Sequence, residues 1–175
     1  SVLPTSGDGD FTFSRGSNAT RVNKDGLIET MPLELGSEEV TNGSFDTDSD
    51  WIKGAGWTIS GGVASCDGTA NDAIHQGITI PTGVIKIKFD VTSITQGTIR
   101  VFADKPSFTE VYETGSIGTH EVFVDTTSNS GKVWFYATNS FVGSIDNVSV
   151  KEVLSGYDLP RLDYSDSSCP SLLLE

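Results

Sequence analysis

Apolar and polar residues alternate with a period of two along much of this chain, which is the pattern of half-buried β-strands. In the run 84–94 (VIKIKFDVTSI) the odd-numbered positions from 85 to 91 are apolar and the even-numbered positions from 86 to 92 are charged or polar. Shorter runs of strand character follow the same logic: 63–66, 73–80, 98–103, 111–114, 120–124, 132–138 and 144–152. No segment keeps a 3.6-residue apolar period for more than a turn or two. The pattern predicts an all-β domain of two stacked antiparallel sheets, with Gln96-Gly97 as a turn between strands.

The two ends of the chain read differently from its middle. Residues 1–10 are rich in Gly, Ser and Asp and predict an arm, and 11–13 alternate like a strand. Asp25-Gly26 between short apolar runs is a hairpin signal, and Pro32 to Glu39 reads as an acidic linker. We therefore divide the chain into an N-terminal flank (1–39), a β module (40–153) and a C-terminal flank (154–175) that pairs with the first.

Composition narrows the classes of function. The 175 residues include 24 acidic and 11 basic ones, for a net charge of −13 and a pI near 4.3. Nucleic-acid binding needs clustered Lys and Arg, so we expect no nucleic-acid partner. Acidity also disfavours anionic membranes and highly sulfated polysaccharides, although a local basic patch could override it. No run is long enough to insert into a membrane, and the two cysteines predict free thiols.

Aromatic residues at alternate positions point to a binding surface. In 132–137 (KVWFYA), alternation places Trp134 and Tyr136 on the face opposite to the packed interior. Arg100 and Phe102 face outward by the same rule, and we expect Lys88 to join them. Aromatic rings beside cationic and amide groups are what stacking on a sugar ring requires. The alternative is that a loop or a flank covers this face.

Other candidate chemistry is weaker. His75 lies in a strand that could border the groove, although a lone histidine is more often a surface or core residue. Glycoside hydrolysis needs two carboxylates facing each other across a cleft, and no such pair stands out in the sequence. No nucleophile elbow, metal-binding cluster or phosphate-binding loop is present either. We therefore expect no enzyme.

Two short motifs of the middle module carry a family resemblance. Asn42-Gly43-Ser44-Phe45-Asp46 opens the module and 144–150 (SIDNVSV) closes it, which resembles the jelly-roll carbohydrate-binding modules of the family 4/9 type. The resemblance implies a jelly-roll β-sandwich of the galactose-binding-like kind, a polysaccharide or cell-surface glycan as ligand, and a structural Ca²⁺. Its ligands would be Asn42, Ser44, Asp46 and Asp146, because hard oxygen donors suit Ca²⁺. Alternatively, Asp146 caps a turn and 46–50 is a solvated loop.

The flanks resemble a frame found in tail-fibre and other virion proteins of bacteriophages. The resembling segments are 10–29 (DFTFSRGSNATRVNKDGLIE) and 157–175 (YDLPRLDYSDSSCPSLLLE). This implies a short β frame, a virion or extracellular location, other virion proteins as partners, and a full-length protein that could be a homotrimer. Three functions stay open: a glycan-binding adhesin module, a structural or decoration domain without ligand, and the accessory module of a polysaccharide-degrading enzyme.

Overall fold

The structure is a computed structural model and describes residues 20–22, 28–30, 33–79, 83–103, 110–126, 131–155, 161–163 and 171–173. In these ranges the regular elements are β-strands, as the alternating pattern predicts. The strands are β1 (Thr20–Val22), β2 (Ile28–Thr30), β3 (Glu34–Glu38), β4 (Ile52–Lys53), β5 (Trp57–Ser60), β6 (Val63–Asp67), β7 (Ala73–Gly77), β8 (Gly83–Ala103), β9 (Glu110–Thr114), β10 (Gly118–Thr126), β11 (Lys132–Ser155), β12 (Arg161–Asp163) and β13 (Ser171–Leu173). These ranges contain no helix long and apolar enough to cross a membrane.

Two unusually long strands organise the unit formed by Leu35–Val153. The prediction of a turn at Gln96-Gly97 is wrong, because β8 continues through this point to Ala103. The runs 132–138 and 144–152 likewise belong to one strand, β11. β8 and β11 pair antiparallel along most of their lengths, with register shifts between Thr138 and Ser149. Each strand therefore bends without ending.

The bends divide the strands between two layers. Layer 1 contains β10, the first half of β8, the second half of β11, and β3 at its edge. Layer 2 contains β9, the second half of β8, the first half of β11, then β7 and β4. β6 pairs with β11 at 142–145, near the bend, and β5 pairs with β6. The fold is an all-β sandwich of the jelly-roll type.

The core lies between the layers and is built from the inward positions of the alternating runs. Phe89 of layer 1 and Phe135 of layer 2 are both fully buried and meet edge to face, with ring centres 5.1 Å apart. Trp51 is buried against Phe45 and Phe135, and Trp57 is buried against Phe141. Both tryptophans are therefore part of the buried core.

The described strands of the two flanks form a unit of their own. β1 pairs antiparallel with β2, as the Asp25-Gly26 signal predicts, and β12 pairs with β13. β1 and β12 are neighbours within this unit. The predicted strand at 11–13 lies outside the described residues. The predicted linker at 32–39 is partly wrong, because Glu34–Glu38 is strand β3, which pairs with β11.

Candidate functional site

The outer face of layer 2 carries a shallow, mostly apolar cleft. Its volume is about 200 Å³. Four side chains line it, Arg100, Phe102, Trp134 and Tyr136, and we call it the aromatic cleft. All four are half-buried, so each keeps part of its surface in solvent. Strand alternation predicted that these four residues share a face, and it predicted Lys88 and His75 as members of the same site.

Strand register explains why these four residues meet. In the antiparallel pairing of β8 with β11, Trp134 lies opposite Phe102 and Tyr136 lies opposite Arg100. Pairing of β11 with β7 places His75 on the other side of Trp134. Directly opposed residues on one face of a sheet have their Cβ atoms about 5 Å apart, close enough for ring contacts. The cleft is therefore a consequence of register as much as of composition.

Ring contacts hold the aromatic side chains in place. The imidazole of His75 stacks on the indole of Trp134 with ring centres 3.8 Å apart and planes 21° from parallel. The ammonium of Lys132 lies 5.2 Å from the centre of the same indole, within cation–π range. Phe102 and Tyr136 meet edge to face at 6.3 Å, and the Tyr136 hydroxyl donates a hydrogen bond to the carbonyl of Asn71 at 2.8 Å. Rings fixed in this way lose little conformational freedom when a ligand binds.

The charge of Arg100 is balanced within the same face. Its Nε lies 3.2 Å from Oε2 of Glu113, which is the register partner of Arg100 on β9. The Thr98 hydroxyl donates to the other carboxylate oxygen of Glu113. Sequence reasoning placed a strand at 111–114 but did not select Glu113, because only the register between β8 and β9 shows that the two residues are paired.

Lys88 does not belong to this cleft, contrary to the prediction. It lies in the first half of β8 and faces outward from layer 1, on the other side of the sandwich. Alternation gives Lys88 the same parity as Arg100, but the strand passes from one layer to the other between them. Gln76, the neighbour of His75, points inward: it is buried, and its amide bonds to the backbone of Thr41 and Asp50.

The side chains predicted to bind Ca²⁺ all have protein partners. Asn42 Nδ2 donates to the carbonyls of Thr47 and Ser49, and the Ser44 hydroxyl donates to Asp46. The carboxylate of Asp146 accepts a hydrogen bond from the backbone N–H of the next residue at 2.6 Å. Within the described ranges no group of three or more His, Cys, Asp or Glu side chains could hold a metal ion. Ca²⁺ binding at these four residues stays a prediction.

No family model matches this chain, and no curated protein matches it. Among solved structures, one described as "CBM4 structure and function" aligns with 63% of this chain and 97% of its own, at 14% sequence identity and a TM-score of 0.40. A likeness at that score carries no argument about binding.

Proposed function

We propose that the Leu35–Val153 unit is a non-catalytic glycan-binding module whose ligand lies in the aromatic cleft. The observation that carries the proposal is the convergence of Phe102, Trp134 and Tyr136 with Arg100 in one solvent-accessible cleft. Pyranose rings present an apolar face of C–H groups that packs against aromatic rings, while their hydroxyls need polar partners at the edge. Arg100 and the Tyr136 hydroxyl supply such partners here.

The pairing of Arg100 with Glu113 supports a sugar over a simple anion. Because the carboxylate lies 3.2 Å from the guanidinium, an anionic ligand at this point would meet both charges. A sugar hydroxyl can donate to the carboxylate and accept from the guanidinium at the same time. The cleft is thus suited to an uncharged, hydroxyl-rich ligand.

The experiment is a glycan array of bacterial and algal polysaccharides, followed by calorimetric titration of the strongest ligand. Trp134→Ala should reduce affinity at least about fivefold, since aromatic stacking at the centre of a small interface contributes about 1–3 kcal/mol. Phe123→Ala is the matched control, because Phe123 is an outward, half-buried aromatic residue of layer 1. Equal affinities of Trp134→Ala and the unmutated chain would refute the assignment of the cleft.

We further propose that the module acts in a bacteriophage structural protein, in the virion or outside the cell, as an adhesin for host-surface or environmental polysaccharide. This rests on the resemblance of the flanks at 10–29 and 157–175, together with the aromatic cleft. Its partners would be other virion proteins, in a full-length homotrimer. Mass spectrometry of purified virions tests whether the protein is part of the particle, and sedimentation of the full-length protein tests whether it is a homotrimer. If the protein is absent from particles, the alternative is the accessory module of a polysaccharide-degrading enzyme.

If the array shows no ligand, we favour the hypothesis that the unit is a structural or decoration domain without a ligand. On that reading the rings of the aromatic cleft are covered by a neighbouring segment or subunit in the assembled protein. Solvent accessibility of Trp134 in the assembled protein, measured by acrylamide quenching against the buried Trp51 and Trp57 as internal references, separates the two readings. An accessible indole with no ligand in a broad array would count against both.

A further inference from the structure

The outer face of layer 1 carries a second cleft, on the opposite side of the sandwich from the aromatic cleft. Its volume is about 320 Å³. Three lysines line it, Lys86, Lys88 and Lys151, together with Leu35, Glu121, Asn147 and Ser149. We call it the lysine cleft. A chain with 24 acidic and only 11 basic residues thus gathers three of its cations on one face.

Two carboxylates compensate two of the three ammonium groups. Lys86 Nζ lies 2.9 Å from Oε1 of Glu121, and the same ammonium lies 5.8 Å from the centre of the Phe123 ring. Lys151 Nζ lies 4.0 Å from Oε2 of Glu38. Lys88 is exposed and forms no ion pair with a residue of the described ranges. Lys88 is therefore the ammonium group of the cleft without a direct ion pair, and its charge acts only at longer range on Asp90, whose pKa it helps to lower.

The strand register brings like charges together, which lowers the stability of the folded sheet when no ligand is bound. Lys86 and Lys151 are directly opposed on neighbouring strands, and like charges in that position destabilise a sheet. Lys88 is opposed by Ser149 on one side and by Glu121 on the other. An anion placed against Lys88 would relieve the repulsion among all three ammonium groups, which a neutral ligand could not do.

The rest of the lining indicates what kind of anion fits. The hydroxyl of Ser149 donates to Glu38 at 2.6 Å and keeps the capacity to accept a hydrogen bond. Glu121 can accept from a ligand hydroxyl, and Leu35 offers an apolar contact. A cleft of about 320 Å³ is at the small end of ligand pockets, which are roughly 300–1,000 Å³. Such a cleft suits one ring that carries both hydroxyls and a carboxylate.

We propose that the lysine cleft binds a uronate unit of an acidic polysaccharide, with Lys88 as the ion-pair partner of its carboxylate. The choice of a sugar acid over other carboxylates rests on the proposed glycan-binding function, but the site uses no residue of the aromatic cleft. A nucleic acid is disfavoured, because neutralising several successive phosphates needs several free cations, and among the described residues of this cleft only Lys88 is without an ion pair.

The test is calorimetric titration of the whole chain with galacturonate oligomers and with neutral galactose oligomers of the same length. Lys88→Gln should weaken galacturonate binding roughly fivefold, the value expected for one exposed ion pair at the upper end of the measured range. Lys53→Gln is the matched control, since Lys53 pairs with Asp48 in a different part of the unit. Binding should also weaken as NaCl is raised, because salt screens exposed charges.

The outcomes separate the two proposals. Galacturonate binding that survives Trp134→Ala but is weakened by Lys88→Gln supports the lysine cleft. Galacturonate binding that is lost in Trp134→Ala and unchanged in Lys88→Gln overturns it and assigns the acidic sugar to the aromatic cleft. Absence of galacturonate binding, with neutral glycan bound in a Trp134-dependent manner, also overturns it and leaves the proposed function intact. Lys151→Gln serves as a second variant if Lys88→Gln folds poorly.

Discussion

The buried amide of Gln76 offers the sharpest test of how the structure is held together. Only 5% of this residue is exposed. Its Nε2 donates to the carbonyl of Thr41 at 2.8 Å and to that of Asp50 at 3.2 Å, and its Oε1 accepts from the N–H of Thr41 at 2.8 Å. One side chain of β7 therefore fastens both ends of the loop 41–50. Gln76→Met keeps the length of the side chain and removes all three bonds.

The expected loss of stability follows from those three bonds. A typical neutral hydrogen bond contributes a net of about 1 kcal/mol, and a buried group left without a partner costs about 1–3 kcal/mol. Asp50 is exposed and its carbonyl can turn to water, so we expect a total of about 2–3 kcal/mol. That is a large part of the roughly 5–15 kcal/mol by which domains are stable, and it lowers the Tm on the order of 10 °C.

Urea unfolding followed by tryptophan fluorescence measures this loss, and amide hydrogen exchange at Thr41 locates it. Gln96→Met is the matched control, because the same chemical change is made at an exposed glutamine. We expect the control to stay within about 0.5 kcal/mol of the unmutated chain. A loss below about 1 kcal/mol for Gln76→Met, or unchanged protection of the Thr41 amide, would refute the reasoning.

Three further predictions concern the effect of acid on Asp90, the backbone at Gly97 and the predicted Ca²⁺ site. Hydrogen bonds, chiefly from the Thr119 hydroxyl, hold the pKa of the Asp90 carboxyl below its ordinary value of 3.8. Their stabilisation is therefore complete at neutral pH and is lost as the pH falls through the folded pKa. Acid titration of unfolding should show Asp90→Asn losing less stability than the parent as the pH falls below about 4, and parallel curves would contradict this. Gly97→Ala should lower the free energy of unfolding in urea by more than about 2 kcal/mol, because φ is +74° and a Cβ would lie 2.5 Å from a backbone carbonyl oxygen. Gly61→Ala is the control, because Gly61 has φ +64° and open space around it, so that variant measures the cost of the positive φ alone. Equal losses of stability in the two variants would exclude the clash. If the predicted Ca²⁺ site exists, Ca²⁺ at a hundredfold excess over its Kd should stabilise the chain by about 2.7 kcal/mol and Asp46→Asn should remove that gain; an unchanged Tm in millimolar Ca²⁺ would end the prediction.

Alternation predicted which residues face outward but not which layer they belong to. The inward set Ile99 and Val101 and the outward set Arg100 and Phe102 are as the period of two requires. The four residues that line the aromatic cleft lie together because all of them are on the halves of β8 and β11 that pair directly with each other. Lys88 was misplaced because parity repeats along a strand whatever the path of the strand in space.

The path of β8 could not be predicted from the sequence, because the residues at its bend look like turn signals. Gln96-Gly97 is typical of a hairpin turn, yet the glycine lies where two long strands bend together. A Cβ at this position would lie within 2.6 Å of the backbone of Thr138 and Phe141. A close approach of backbones and a tight turn both need glycine at positive φ, so the sequence alone does not separate them. Register, which pairs Arg100 with Glu113, depends in turn on that path.

The same two strands build both clefts, and the bends keep the clefts apart. β8 supplies Lys86 and Lys88 before its bend and Arg100 and Phe102 after it, and β11 supplies residues to both faces in the opposite order. A substitution in either cleft should therefore act locally, because the buried core lies between the two outer faces. A substitution at the bend should alter both clefts together, since it changes the direction of strands common to them. Comparing Gly97→Ala with Trp134→Ala and Lys88→Gln in one set of titrations would show whether two separate surfaces share one scaffold.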